Sequence, residues 1–113
     1  MDKYLLALLG EAGATGLAKG IYIVRKEERF KNAYLNELSH WNYFKKFNSS
    51  KLELPTYFLL LVLGVIIGLL GLKVIRKVVN KVEEQAIKFY YENFEIKGEI
   101  AKIVEDEKHH FIN

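Results

Sequence analysis

The chain has no cysteine and a single proline in 113 residues, and its charge is nearly balanced at +3. Without cysteine there can be no disulfide, no iron–sulfur cluster and no thiolate metal site. Any metal must be held by carboxylate and imidazole, donors that suit iron or manganese, whereas structural zinc sites favour thiolate. One proline among residues that are half hydrophobic argues against a turn-rich β fold and for helices. The weak positive balance suits an anionic membrane surface and is poor ground for nucleic-acid binding, so no nucleic-acid partner is expected. A signal-peptide layout is lacking too: Asp2 and Lys3 precede a short apolar run broken at Glu11, which predicts an intracellular protein. The length fits one domain over residues 1–113 with a single core.

What the chain does have is a doubled motif. Glu37-Leu-Ser-His40 and Glu107-Lys-His-His110 are both Glu-x-x-His, and each follows another glutamate, Glu11 or Glu83, by about 25 residues. On a helix, residues i and i+3 share a face, so each pair aims a carboxylate and an imidazole in one direction. Two such pairs with one glutamate from each of two further helices form the ligand set of a di-iron or di-manganese four-helix bundle. Buried ionised carboxylates are costly unless paired or metal-bound. Two divalent cations would offset Glu11, Glu37, Glu83 and Glu107, and His40 and His110 would complete the shell. By analogy with carboxylate-bridged sites, Glu37 and Glu107 are expected to bridge and Glu11 and Glu83 to be terminal. Two iron ions are the expected cofactor, with manganese as the alternative. If the glutamates only snorkel and His40 is packed, no metal is bound.

Apolar periodicity places these residues on helices. The first runs over 3–24 with Glu11 in its apolar stripe, and the charged run 25–29 makes the turn. The second runs over 30–47 and carries Glu37, His40, Trp41 and Phe44 on one face. A third over 72–93 aligns Glu83 with Val79, Ala86, Ile87 and Tyr90, leaving Glu84 on a polar side with Asn80, Lys81 and Lys88. A fourth over 96–111 aligns Ile96, Ile100, Ile103, Glu107 and His110. Asp106 and His109 have the same spacing and compete for the role. Tyr22, Tyr34, Trp41, Phe44 and Tyr90 fit core packing, or the lining of a substrate pocket.

Between the two hairpins, 57–75 is almost unbroken apolar sequence, punctuated by Gly64, Gly68 and Gly71. Its 19 residues would span about 28 Å as a helix, near the thickness of a bilayer core. A single crossing would put the two hairpins on opposite sides of a membrane and forbid a shared metal site. Lysines flank the segment at both ends, which gives no inside–outside asymmetry. The expectation is a monotopic insert lying in one leaflet. A buried helix or a soluble homo-oligomer interface, using Gly64-x-x-x-Gly68 for close approach, is the alternative.

With Gly10-Glu11-Ala12-Gly13-Ala14, Glu37-Leu-Ser-His40 followed by Phe44, Leu54-Pro55 before the apolar segment, Val82-Glu83-Glu84 and Glu107-Lys108-His109-His110, the chain resembles the demethoxyubiquinone hydroxylase family of ferritin-like di-iron proteins. The resemblance implies an all-α, ferritin-like four-helix bundle with an extra hydrophobic helical segment between helices 2 and 3. It implies a membrane-attached di-iron enzyme that uses O₂ to hydroxylate a quinone, with electrons from a separate donor. Its ligand pattern falls on Glu11, Glu37, His40, Glu83, Glu107 and His110, although in the family the first of the His-His pair can serve, which would favour Asp106 and His109. The family's His-Tyr after the third-helix glutamates is Phe89-Tyr90 here. A rubrerythrin-like peroxide reductase or iron-handling protein would use the same ligands without an organic substrate. A non-enzymatic membrane or assembly module would use none of them.

Overall fold

A computed structural model describes residues 2–113 as five α-helices, with no strand among the described residues. They are α1 (Lys3–Arg25), α2 (Glu28–Phe44), α3 (Glu53–Leu70), α4 (Leu72–Asn93) and α5 (Gly98–Lys108). The chain forms two compact units, one of α1–α3 ending at Gly71 and one of α4 and α5.

In the first unit, Asp2 caps α1 by accepting a 2.8 Å hydrogen bond from the Tyr4 amide, which satisfies one of the amides a helix start leaves open. The helix ends where Lys26 turns left-handed at φ 52° and its amide bonds back to the Tyr22 carbonyl, a stop that normally falls to glycine. With so short a connection α2 returns antiparallel to α1. Asn48 donates to Asp2, and the Tyr4 ring lies 5.0 Å from that of Phe47. Leu8, Ala12, Ile21, Phe30, Trp41 and Phe44 are buried.

Small residues set how α3 packs. A methyl group at Gly16 would overlap the Tyr57 carbonyl, one at Gly20 the Leu61 carbonyl, and one at Gly64 the Leu17 carbonyl. Backbones of α1 and α3 therefore touch, running parallel, as helices do where packing rather than polar contact holds them together. The two glycines that sequence alone offered to a buried helix or an oligomer, Gly64 and Gly68, pack against α1 of the same chain: Gly68 faces Val24. The start of α3 is fixed by Glu53, whose carboxylate accepts from the Trp41 indole at 2.8 Å and from the Ser50 amide at 2.9 Å. Phe58, Leu59, Val62, Ile66, Leu69 and Leu70 are exposed on its other side. This one helix is long and apolar enough to cross a membrane.

Several helix limits differ from the sequence expectation; α2, for one, covers Glu28–Phe44 and not 30–47. The apolar helix starts at Glu53, ahead of residue 57, because Pro55 sits in its first turn, where a missing amide costs nothing. It stops at Leu70, at the break a helix beginning at residue 72 calls for, because Gly71 takes φ 107°, a conformation that side chains resist. The last helix covers only Gly98–Lys108, not 96–111, since Gly98 opens at φ 59° and the chain leaves the helix after Lys108.

In the second unit α4 and α5 are antiparallel across the four-residue connection 94–97. Ile75, Tyr90, Ile100, Ile103 and Val104 are buried, and Tyr90 and Phe94 rings meet at 5.8 Å.

Candidate metal centre

Each unit assembles one triad of two glutamates and a histidine. In the first, Glu11 comes from α1 and Glu37 and His40 from α2. Nδ1 of His40 lies 3.0 Å from Glu37 Oε1 and 3.2 Å from Glu11 Oε2. The antiparallel α1–α2 hairpin brings Glu11 level with the Glu37–His40 turn. Thr15 supports that level, its hydroxyl donating at 2.6 Å to the Glu11 carbonyl.

In the second triad, Glu83 comes from α4 and Glu107 from α5, while His110 stands just beyond the helix. Its amide still bonds to the Glu107 carbonyl at 3.1 Å, a tightened turn that keeps the imidazole over its helix. Nδ1 of His110 is 3.4 Å from Glu107 Oε1 and 3.6 Å from Glu83 Oε1. Of the competing pair, His109 faces outward with its side chain 73 % exposed, 3.9 Å from Glu105. Glu84 is exposed beside Lys81.

Five of the six side chains belong to residues only 1–4 % exposed, and the His110 side chain is 6 % exposed. Within each triad the ligand atoms lie within 4.8 Å of one another, so each could hold a metal ion. The electrostatics agree. Burial opposes charge on His40, yet its hydrogen bonds and attraction to Glu11 and Glu37 prevail and push its pKa up to about 12. The pair of carboxylates demands a cation, and in the metal-free protein a proton on the imidazole supplies it. For Glu83, burial comes first and Glu107 adds repulsion; His110 offsets part of this, and the pKa rises to about 7. Its Oε2 is buried and accepts no hydrogen bond among the described residues, an expensive arrangement for a carboxylate with no ligand to bind. The donor set of oxygen and imidazole nitrogen fits a divalent first-row metal.

The sequence reading missed Asn80, assigned there to a polar side. Its side-chain amide holds the backbone of Ile112 by two 2.8 Å hydrogen bonds. The signal was its position three residues before Glu83, on the same helix face. Comparison with protein-family models, curated proteins and solved structures finds no match.

Proposed function

We propose that the protein is a membrane-surface di-iron oxidoreductase of ferritin-like type, acting with O₂ on a quinone or another lipid-like substrate. The observation that carries this reading is that the same buried donor set, two carboxylates and one imidazole, occurs once in each unit. Glu11, Glu37 and His40 would hold one ion, and Glu83, Glu107 and His110 the other. Iron, with manganese as the alternative, suits these donors. Two divalent ions offset four carboxylates, which leaves the imidazoles neutral as ligands. Bound iron would supply activation of O₂, which carboxylates and imidazoles do not perform by themselves. The chain's contribution is to keep six donors out of water, five of them fixed on helices. Electrons would come from a separate donor.

The apolar face of α3 supports a lipid-side location. Since α3 runs beside α1, whose Lys19 is half-buried, and α2 exposes Glu28, Arg29, Lys31 and Asn32, crossing the bilayer would carry these charges into it. Lying flat in one leaflet buries α3 alone and leaves α2 in water. Lys51 before the helix and Lys73 after it would meet the headgroups.

The test is metal content of protein purified without oxygen from iron-fed cells, beside Glu37→Ala and His110→Ala. Two ions per chain, with loss in each variant, supports the centre; none in the wild type overturns it. O₂ uptake with a quinol and vesicles then separates the hydroxylase from a peroxide reductase, which would consume peroxide without lipid.

A further inference from the structure

The second triad has a construction problem that the first does not. His40 stands inside α2, where the helix itself fixes the imidazole relative to Glu37. His110 comes after α5 has ended at Lys108, where its amide makes a turn bond to the Glu107 carbonyl. Beyond it the backbone leaves the helix, so no regular helical turn fixes this imidazole as α2 fixes that of His40. Two residues further on, the Asn80 side chain donates Nδ2–H to the Ile112 carbonyl and accepts the Ile112 amide at Oδ1, both at 2.8 Å. An amide that bonds both polar groups of one residue fixes that residue's position and direction, as a neighbouring strand would. Asn80 is also rooted one turn before Glu83 on α4. The anchor and one ligand thus share a rigid helix, and the anchor ties down the segment that bears another.

We infer that Asn80 is a positioning residue for the metal centre: by clamping Ile112 it holds His110 over Glu83 and Glu107. This deepens the functional reading and rests on it for the metal. The clamp itself concerns the metal-free chain. Residues that orient metal ligands commonly change affinity by 10–100-fold when removed.

The experiment compares wild type with Asn80→Ala, Ile112→Pro and the double variant. Proline at 112 deletes the amide that Asn80 accepts, and it lies outside every helix, so it tests the clamp even where Asn80→Ala fails to fold. Ferrous iron titrated without oxygen should show one of two ions weakened about 10–100-fold in each single variant, with the other ion retained. The double variant should be no worse than the poorer single, because both changes break one device. NMR of the metal-free protein gives the second readout: contacts from the His110 ring to the Glu83 and Glu107 side chains, present in wild type and lost in both single variants. Unchanged iron affinity and unchanged ring contacts overturn the inference, as do additive losses in the double variant. Wild type that binds no iron, yet loses its ring contacts in the variants, would sink the functional reading and leave the clamp standing.

Discussion

Replacing Glu83 by glutamine should stabilise the metal-free protein while destroying half of its metal capacity. Burial raises the Glu83 pKa from 4.5 to about 7 despite the help of His110. The folded chain therefore binds a proton there that the unfolded chain has already lost. Stability linked to that proton is complete below about pH 4.5 and is lost as pH rises through 7. At about 1.4 kcal/mol per tenfold in an acid constant, holding Glu83 ionised in the fold at pH 8 costs on the order of 3 kcal/mol. Glutamine has the same shape and no charge. Its amide must find a partner among Glu107 and His110, so a gain of about 1–3 kcal/mol is expected. Urea unfolding with a chelator should show the variant's midpoint raised at pH 8 and unchanged at pH 5. With ferrous iron at 1,000 times its dissociation constant the order reverses, since the wild type gains about 4 kcal/mol per site and the variant loses that site. A variant that unfolds earlier than wild type at pH 8 in chelator would refute the reasoning, because it would make Glu83 a structural carboxylate.

His40→Ala has the opposite sign: it leaves Glu11 and Glu37 buried together without a cation, and metal-free protein at pH 8 should lose about 3–5 kcal/mol in urea unfolding. In the wild type the His40 contribution is present below about pH 6.5 and lost as pH climbs toward 12, so metal-free protein should unfold progressively more easily across alkaline pH. Gly16→Ala must displace the Tyr57 carbonyl and should cost at least about 1–3 kcal/mol, whereas nothing lies within 4 Å of a methyl at Gly10, and Gly10→Ala should raise stability by about 0.5–1 kcal/mol; thermal melts of the two separate backbone contact from helix propensity. Leu59→Lys with Ile66→Lys, both on exposed positions, should leave the helical content intact by circular dichroism and reduce sedimentation with anionic vesicles more than tenfold, each deleted apolar contact being worth roughly 1.5–3 kcal/mol. Unchanged sedimentation would exclude α3 as the lipid-facing element.

The helices were legible because helical periodicity needs only one chain segment to reveal it. Glu11 in an apolar stripe, and Glu37 with His40 at i and i+3, state which face is inward without stating what the face meets. Helix ends were less legible. Lys26 stops α1 in a left-handed conformation that any sequence rule would assign to glycine, while the apolar helix, expected from residue 57, takes Pro55 into its first turn. Gly64 and Gly68 show the same limit at the next level. Their spacing announces close helix approach, but a small-residue stripe carries no address, and its partner is Leu17, Gly20, Ile21 and Val24 of α1.

The site was legible in composition and not in construction. Counting buried-looking carboxylates against imidazoles predicts a demand for positive charge, and the demand is there in the raised His40 pKa and in the Glu83 oxygen with nothing to accept. The same count treats the two triads as copies, and they are not. The first is made by a hairpin whose helices outlast their ligands at both ends, so the geometry follows from backbone regularity alone. The second spends its helix at Lys108 and places its imidazole on the segment after it, where periodicity has no authority. Choosing between Asp106–His109 and Glu107–His110 from sequence meant extending a helix past its end, and the structure turns His110 inward by other means. The means is Asn80, a residue whose polarity made it look like surface. A polar side chain on a face shared with a buried glutamate is worth testing first as a hydrogen-bonding anchor, because at that position an unpaired amide would be costly.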